Sequence, residues 1–145
     1  MQYFDDIPIG QKEMVGQIEL TKSDIIEFAK RWDPQPFHLD EHAAQESPFR
    51  GLTASGSHIF CVAARLTHKL RRVALIAGLG QELRFPNPAR PRDRLTLNTE
   101  CVDKRESRSK ADRGIVVYEH RLANQDGVVV LEMKSTILVA KRQNA

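Results

Sequence analysis

Residues 57–72 read SHIFCVAARLTHKLRR, and this stretch decides the fold. Apolar residues run nearly all round it for two turns, so it asks for burial on more than one face. The spacing predicts a helix over Ser57–Arg72, buried at the centre of its domain. Ser55 and Ser57 are candidate N-caps with Gly56 between them, and Lys69, Arg71 and Arg72 complement the negative end of the helix dipole. The chain beyond this helix reads as strand: Gln81–Phe85, Arg94–Lys104, Gly114–Asn124 and Val128–Ala140. Asn124-Gln125-Asp126-Gly127 joins the last two as a hairpin, and residues 87–91 (NPARP) form a turn. Upstream, Glu13–Leu20 partly alternates and reads as a first strand. Thr21–Lys30 is a short helix capped by Thr21 or Ser23, with Ile25, Ile26, Phe28 and Ala29 on its apolar face. Pro34 and Pro36 stop it. Residues 31–50 then form a long connection, with a turn or two of helix over His38–Gln45. One long apolar helix ahead of a run of strands implies an α+β domain. Its antiparallel sheet curls around the helix.

The chain has 145 residues, one domain's worth, 41% apolar and 28% charged. That length buries a core without a disulfide or metal staple. The longest stretch free of charge, Gly51–Ala64, falls short of a membrane span and is broken by Ser55, Ser57 and His58. The first ten residues, MQYFDDIPIG, hold two acids and no basic segment, unlike a secretory signal. Cys61 and Cys101 form no CxxC, and five scattered histidines give no zinc spacing, so no metal is expected. Cys61 lies among Ile59, Phe60 and Val62 and reads as a buried free thiol, which fits a reducing cytoplasm.

The net charge of +3 is unevenly spread: −5 over residues 1–64, +7 over 65–113 and +1 over 114–145. The basic middle is either a solvated face or a surface for a polyanion. Phe85 is its only aromatic residue. Nucleic-acid binders interleave bases' stacking partners with basic side chains, so nucleic acid is disfavoured.

The chemistry concentrates in residues 31–42, RWDPQPFHLDEH. Asp33 and His38 stand five apart in a segment stiffened by Pro34 and Pro36. An Asp and a His held together can orient a water and move protons near neutral pH. Spacing alone favours the plainer reading, in which Asp33 caps a turn and His38 is an ordinary half-buried residue.

The surrounding residues shift that balance. Asp33-Pro34-Gln35-Pro36-Phe37-His38, with Ala43 and Ala44 beyond it, resembles the signature of the MaoC-like family of (R)-specific enoyl-CoA hydratases. That signature runs Asp, any residue, a polar residue, Pro, an apolar residue, His. The loop from Ser47 to Gly56 (SPFRGLTASG) resembles the family's approach to its central helix, and the order of elements agrees over nearly the whole chain. The resemblance implies a hot-dog fold, a curved antiparallel sheet wrapped around a central helix, and a reaction that adds water to a 2-enoyl thioester or removes it from an (R)-3-hydroxyacyl thioester. It assigns the base to Asp33, the partner that orients the water to His38, and the donor to the enolate oxygen to the amide of Gly56, although Gly56 also reads as a plain helix-start glycine. It requires no cofactor, coenzyme A or a carrier phosphopantetheine arriving with the substrate. Arg84, Arg90, Arg92 and Arg94 are the candidates for its phosphates. Lys104, Arg105, Arg108, Lys110 and Arg113 read as a solvated hairpin loop, and Trp32 as packing that shields the site.

Two residues depart from the family pattern. Ser55 stands where many relatives have His, and Ala64 where some carry a Ser two turns into the helix. Both alter the pocket, so Ser55 is a candidate substrate contact. The departures keep two alternatives open, an acyl-CoA thioesterase of the same fold and a non-catalytic acyl-binding subunit of a heteromeric dehydratase. His58 reads as a core histidine. An open sheet edge predicts a homodimer or higher homo-oligomer.

Overall fold

The structure is a computed structural model that describes residues 1–70 and 72–143, with side chains 69 and 70 left out. After a short 3-10 turn at Phe4–Asp6, the elements are β1 (Lys12–Glu19), α1 (Lys22–Trp32), α2 (Pro36–Leu39), α3 (Glu41–Glu46), α4 (Gly56–Leu70), β2 (Leu75–Arg84), β3 (Arg94–Glu106), β4 (Arg113–Ala123) and β5 (Val129–Ala140). The five strands form one antiparallel sheet in the order β1-β3-β4-β5-β2. The expected α+β arrangement is present. No described helix is long and apolar enough to cross a membrane.

Alternation fixes which face of the sheet meets the helix. Leu95, Leu97, Leu122, Leu131 and Met133 project from β3, β4 and β5 onto Ile59, Val62, Ala63 and Leu66 of α4, and all are buried. Ladder irregularities at Met14/Gly16, Gly78/Gly80 and Cys101/Asp103 add the local twist that bends the sheet around the helix. A second apolar cluster seats Phe4 and Ile7 against Cys101, Val116, Tyr118 and Val139. Lys104, expected to be solvated, instead donates through Nζ to the carbonyls of Phe4 (2.6 Å) and Ile7 (2.8 Å) and lies over the Phe4 ring. Its ammonium satisfies carbonyls that the turn leaves exposed to the core.

Several boundaries differ from those read in the sequence. The central helix begins one residue earlier, at Gly56, and does not reach Arg72; Arg71 lies outside the described residues. It is not apolar all round, since Cys61 and Arg65 are exposed. Cys61 is therefore not the buried thiol; Cys101 is. The strand expected over Gln81–Phe85 runs from Leu75 to Arg84. Its glycines hide the alternation, and register shifts between Leu75/Ala77 and Gly78/Gly80 absorb the irregular spacing. Thr21 caps α1 as expected, accepting from the Asp24 amide at 3.1 Å. Gly127 takes φ 74° in the predicted hairpin, where Asn124 Oδ1 accepts from the amides of Asp126 and Val128.

Candidate active site

The site is built where α1 ends. Asp33 is the C-cap of α1, its amide still bonded to the Ala29 carbonyl, and its φ of −154° turns the chain out of the helix. Pro34 comes next, and Pro36 occupies the first turn of α2, where its missing N–H costs nothing. This turn swings His38 back beside Asp33. The prolines thus convert a spacing of five residues into a contact between side chains.

His38 is buried, and its Nδ1 lies 2.6 Å from the Thr53 carbonyl. A carbonyl only accepts, so Nδ1 carries a proton, and in the tautomer this selects Nε2 presents a lone pair. That lone pair faces Asp33 Oδ2 at 3.5 Å. Ser55 Oγ donates to the same Oδ2 at 2.6 Å. Ser55 is wholly buried and immediately precedes Gly56, so its hydroxyl ties the carboxylate to the start of α4. Ser55, read as a substrate contact, bonds to the Asp33 carboxylate. Asp33 keeps a third of its side chain exposed, which leaves the carboxylate an open side.

In that form the carboxylate oxygen and the imidazole nitrogen are two acceptors 3.5 Å apart, with no hydrogen to share between them. They can instead share the two hydrogens of one water. The first N–H groups of α4 have no partner within the helix and present positive potential beside the pair. Gly56 offers the first of them. A Cβ there would lie 3.0 Å from Cε2 and Cζ of Phe85, so a glycine is needed for the ring to rest on the helix start. Phe85 is 46% exposed and forms a wall beside Gly56 that no sequence motif announces. Its isolation as the only aromatic residue between Arg65 and Arg113 is the one signal the sequence carries.

The arginines divide. Arg90 Nη2 donates to the Phe49 carbonyl at 2.5 Å, and its backbone amide bonds to buried Asp93, so this guanidinium holds the loop leading to α4. Arg92 is exposed at φ 72° in the turn before β3. Arg94 is exposed too, at the start of β3. Arg84 ends β2, exposed and one residue from Phe85, so it is the arginine nearest in sequence to the wall of the site. Trp32 is 66% exposed, with Arg31 over its ring at 5.1 Å, and does not shield the carboxylate. His58 is buried and stacked on Phe28 with ring centroids 4.7 Å apart, a core residue as expected. Burial pushes its pKa below the ordinary 6.5, with the Asp24 carboxylate opposing.

A family model described as MaoC like domain matches residues 7–124. The 3-hydroxybutyryl-CoA dehydratase of Methylorubrum extorquens is 29% identical over 148 aligned residues, covering 99% of this chain and 87% of the relative. The crystal structure of a MaoC-like dehydratase from Rhodospirillum rubrum superposes with a TM-score of 0.94 at 35% identity, over 99% of this chain and all of that one. The R-hydratase PhaJ1 from Pseudomonas aeruginosa superposes with a TM-score of 0.78 at 26% identity, covering 99% of this chain and 91% of that chain. The sheet wrapped around α4 is the hot-dog fold.

Proposed function

The chain belongs to the MaoC-like family, and we propose that it is a hydro-lyase that interconverts a 2-enoyl thioester and an (R)-3-hydroxyacyl thioester. The observation that carries this reading is the pairing of Asp33 Oδ2 with Nε2 of His38 at 3.5 Å, beside the first amides of α4. In hydration, a water held by the two acceptors forms a bond from its oxygen to Cβ. Electrons of the double bond move through Cα to the thioester oxygen, which becomes an enolate. The pair accepts one proton from the water and one proton returns to Cα, so the site ends in the state in which it began. The amide of Gly56 donates to the enolate oxygen, where charge develops. Ser55 steadies the carboxylate through this cycle, so the departure from the family's His leaves the acid–base pair intact. In this reading Arg84 and Arg92, both exposed, meet the phosphates of coenzyme A or of a carrier phosphopantetheine.

A second copy completes the molecule in this reading. β2 lies at one edge of the sheet, and Leu75, Ile76, Leu79 and Leu83 along it are 38–53% exposed. An apolar strand with unpaired backbone groups pairs readily with another of its kind, and two such edges make a dimer with the site near the junction.

The test is a panel of enoyl-CoA esters, read by loss of absorbance of the conjugated double bond, with Asp33→Asn and His38→Ala beside the parent. Each variant should fold and lose about 10²–10⁴-fold in turnover. Near-normal rates in both variants would remove the assignment and leave an acyl-binding subunit. Release of free thiol from saturated acyl-CoA would turn the reading to a thioesterase.

A further inference from the structure

Behind the site, a cavity of about 150 Å³ opens between α4 and the sheet, walled by Phe60, Ala64, Met133, His120 and Ser135. Gly56, Phe60 and Ala64 succeed one another at intervals of four on α4, so they share a face of the helix. At 1.5 Å per residue the cavity begins roughly 6 Å along the helix from the Gly56 amide. Its far wall includes Leu75 and Gln81 of β2, the strand that leads to Phe85. An acyl chain that runs from a thioester at Gly56 along this helix face reaches this space. A cavity of such size takes a guest of roughly six carbons.

Most of the wall is apolar, but one side of it is polar. His120, Ser135 and Thr99 lie on the inner face of the sheet, each about 95% buried. Thr99 Oγ1 sits 2.8 Å from His120 Nδ1, and His120 Nε2 sits 2.6 Å from Ser135 Oγ. Burying an imidazole and two hydroxyls in a core is costly unless they bond to one another, as these do. The row ends at Ser135, which lines the cavity together with His120. When His120 carries its proton on Nδ1, Ser135 donates to Nε2 and turns lone pairs outward. When the proton is on Nε2, Ser135 accepts and its own O–H is free to donate. The row can thus meet either a donor or an acceptor without leaving any member unsatisfied. An alkyl chain would use none of this.

We infer that the cavity selects acyl chains bearing a hydroxyl or keto oxygen beyond the reacting carbons, and that Ser135, backed by His120 and Thr99, reads that oxygen. This rests on the acyl-thioester reading and adds the class of acyl group.

The experiment uses matched pairs of trans-2-enoyl-CoA esters of roughly six to eight carbons, one ending in methyl and the other in hydroxymethyl. Turnover is measured for each, together with calorimetric binding of the corresponding saturated CoA esters. The parent should favour the oxygenated partner by roughly tenfold in kcat/KM and in affinity, the value of one net hydrogen bond. Ser135→Ala should bring both ratios close to one, chiefly by lowering kcat/KM and affinity for the oxygenated ester. Equal treatment of the two esters by an active parent overturns the inference and leaves the hydratase standing. Equal loss on both esters in Ser135→Ala also overturns it, because that marks a structural role. If no ester turns over, the hydratase reading falls, and the binding ratios alone decide whether the cavity prefers the oxygenated chain.

Discussion

Ser55 is the smallest part of the site and the one whose role changes most between sequence and structure. As a departure from the family pattern it reads as a pocket substitution. In the fold it is a buried donor to the carboxylate of Asp33. A hydrogen bond to a charged group contributes about 1.5–3 kcal/mol. Ser55→Ala should therefore lower kcat by at least roughly tenfold and change KM little, as steady-state kinetics on the best ester would read. His58 gives a second expectation at this scale. Its pKa in the folded chain lies below the unfolded 6.5, so between those two values the unfolded chain binds more protons. Stability then rises with pH across that window and is lost as pH falls from 6.5 toward the lowered value. His58→Phe should flatten the dependence of the melting temperature on pH across that window, measured by calorimetry. Asp33 and His38 were legible because a rigid Pro-rich segment is a local feature. The tautomer of His38 was not, because it is set by the Thr53 carbonyl, fifteen residues away in the chain.

Elements differ in how far sequence announces them. The capped α1 and the hairpin between β4 and β5 arise from local chemistry, Thr21 at one and Asn124 with Gly127 at the other. β2 was legible only in part, since its register irregularities and glycines break the period of two. Two glycines show how the same residue serves different ends. In β4, a Cβ on Gly114 would stand 2.3 Å from the ring of Phe4, which is buried and held by Lys104. Gly114→Ala should cost about 1–3 kcal/mol in denaturant unfolding, the usual penalty of overpacking. At Gly56 the obstacle is Phe85, the end of a half-exposed side chain that can swing aside. Gly56→Val should destabilise less than Gly114→Ala, yet lose about 10²–10³-fold in turnover as its methyl groups cover the amide that meets the enolate. Parallel melting curves and rates for the two variants would separate the structural glycine from the one at the site.

At the scale of the whole molecule, the exposed apolar residues of β2 set the expected assembly. Sedimentation at micromolar concentration should give a dimer, and Leu79→Lys, a charge in the middle of that edge, should shift it to monomer. A monomeric parent would overturn the β2 junction. The amino-acid sequence by itself determined the fold class and the central helix. Both depend on periodicity and caps acting over a few residues, and such terms do not need the rest of the chain; Asp33 and His38 stood out through the resemblance of their motif. Tertiary structure decided the remainder. It placed Cys61 in solvent, bound Arg90 to the Phe49 carbonyl, laid Phe85 on Gly56, and joined Thr99, His120 and Ser135 from three strands into one row. Those contacts span up to 41 residues of chain. Their partners are chosen by how the strands assemble and how the sheet closes on the helix, which brings together residues far apart in the chain.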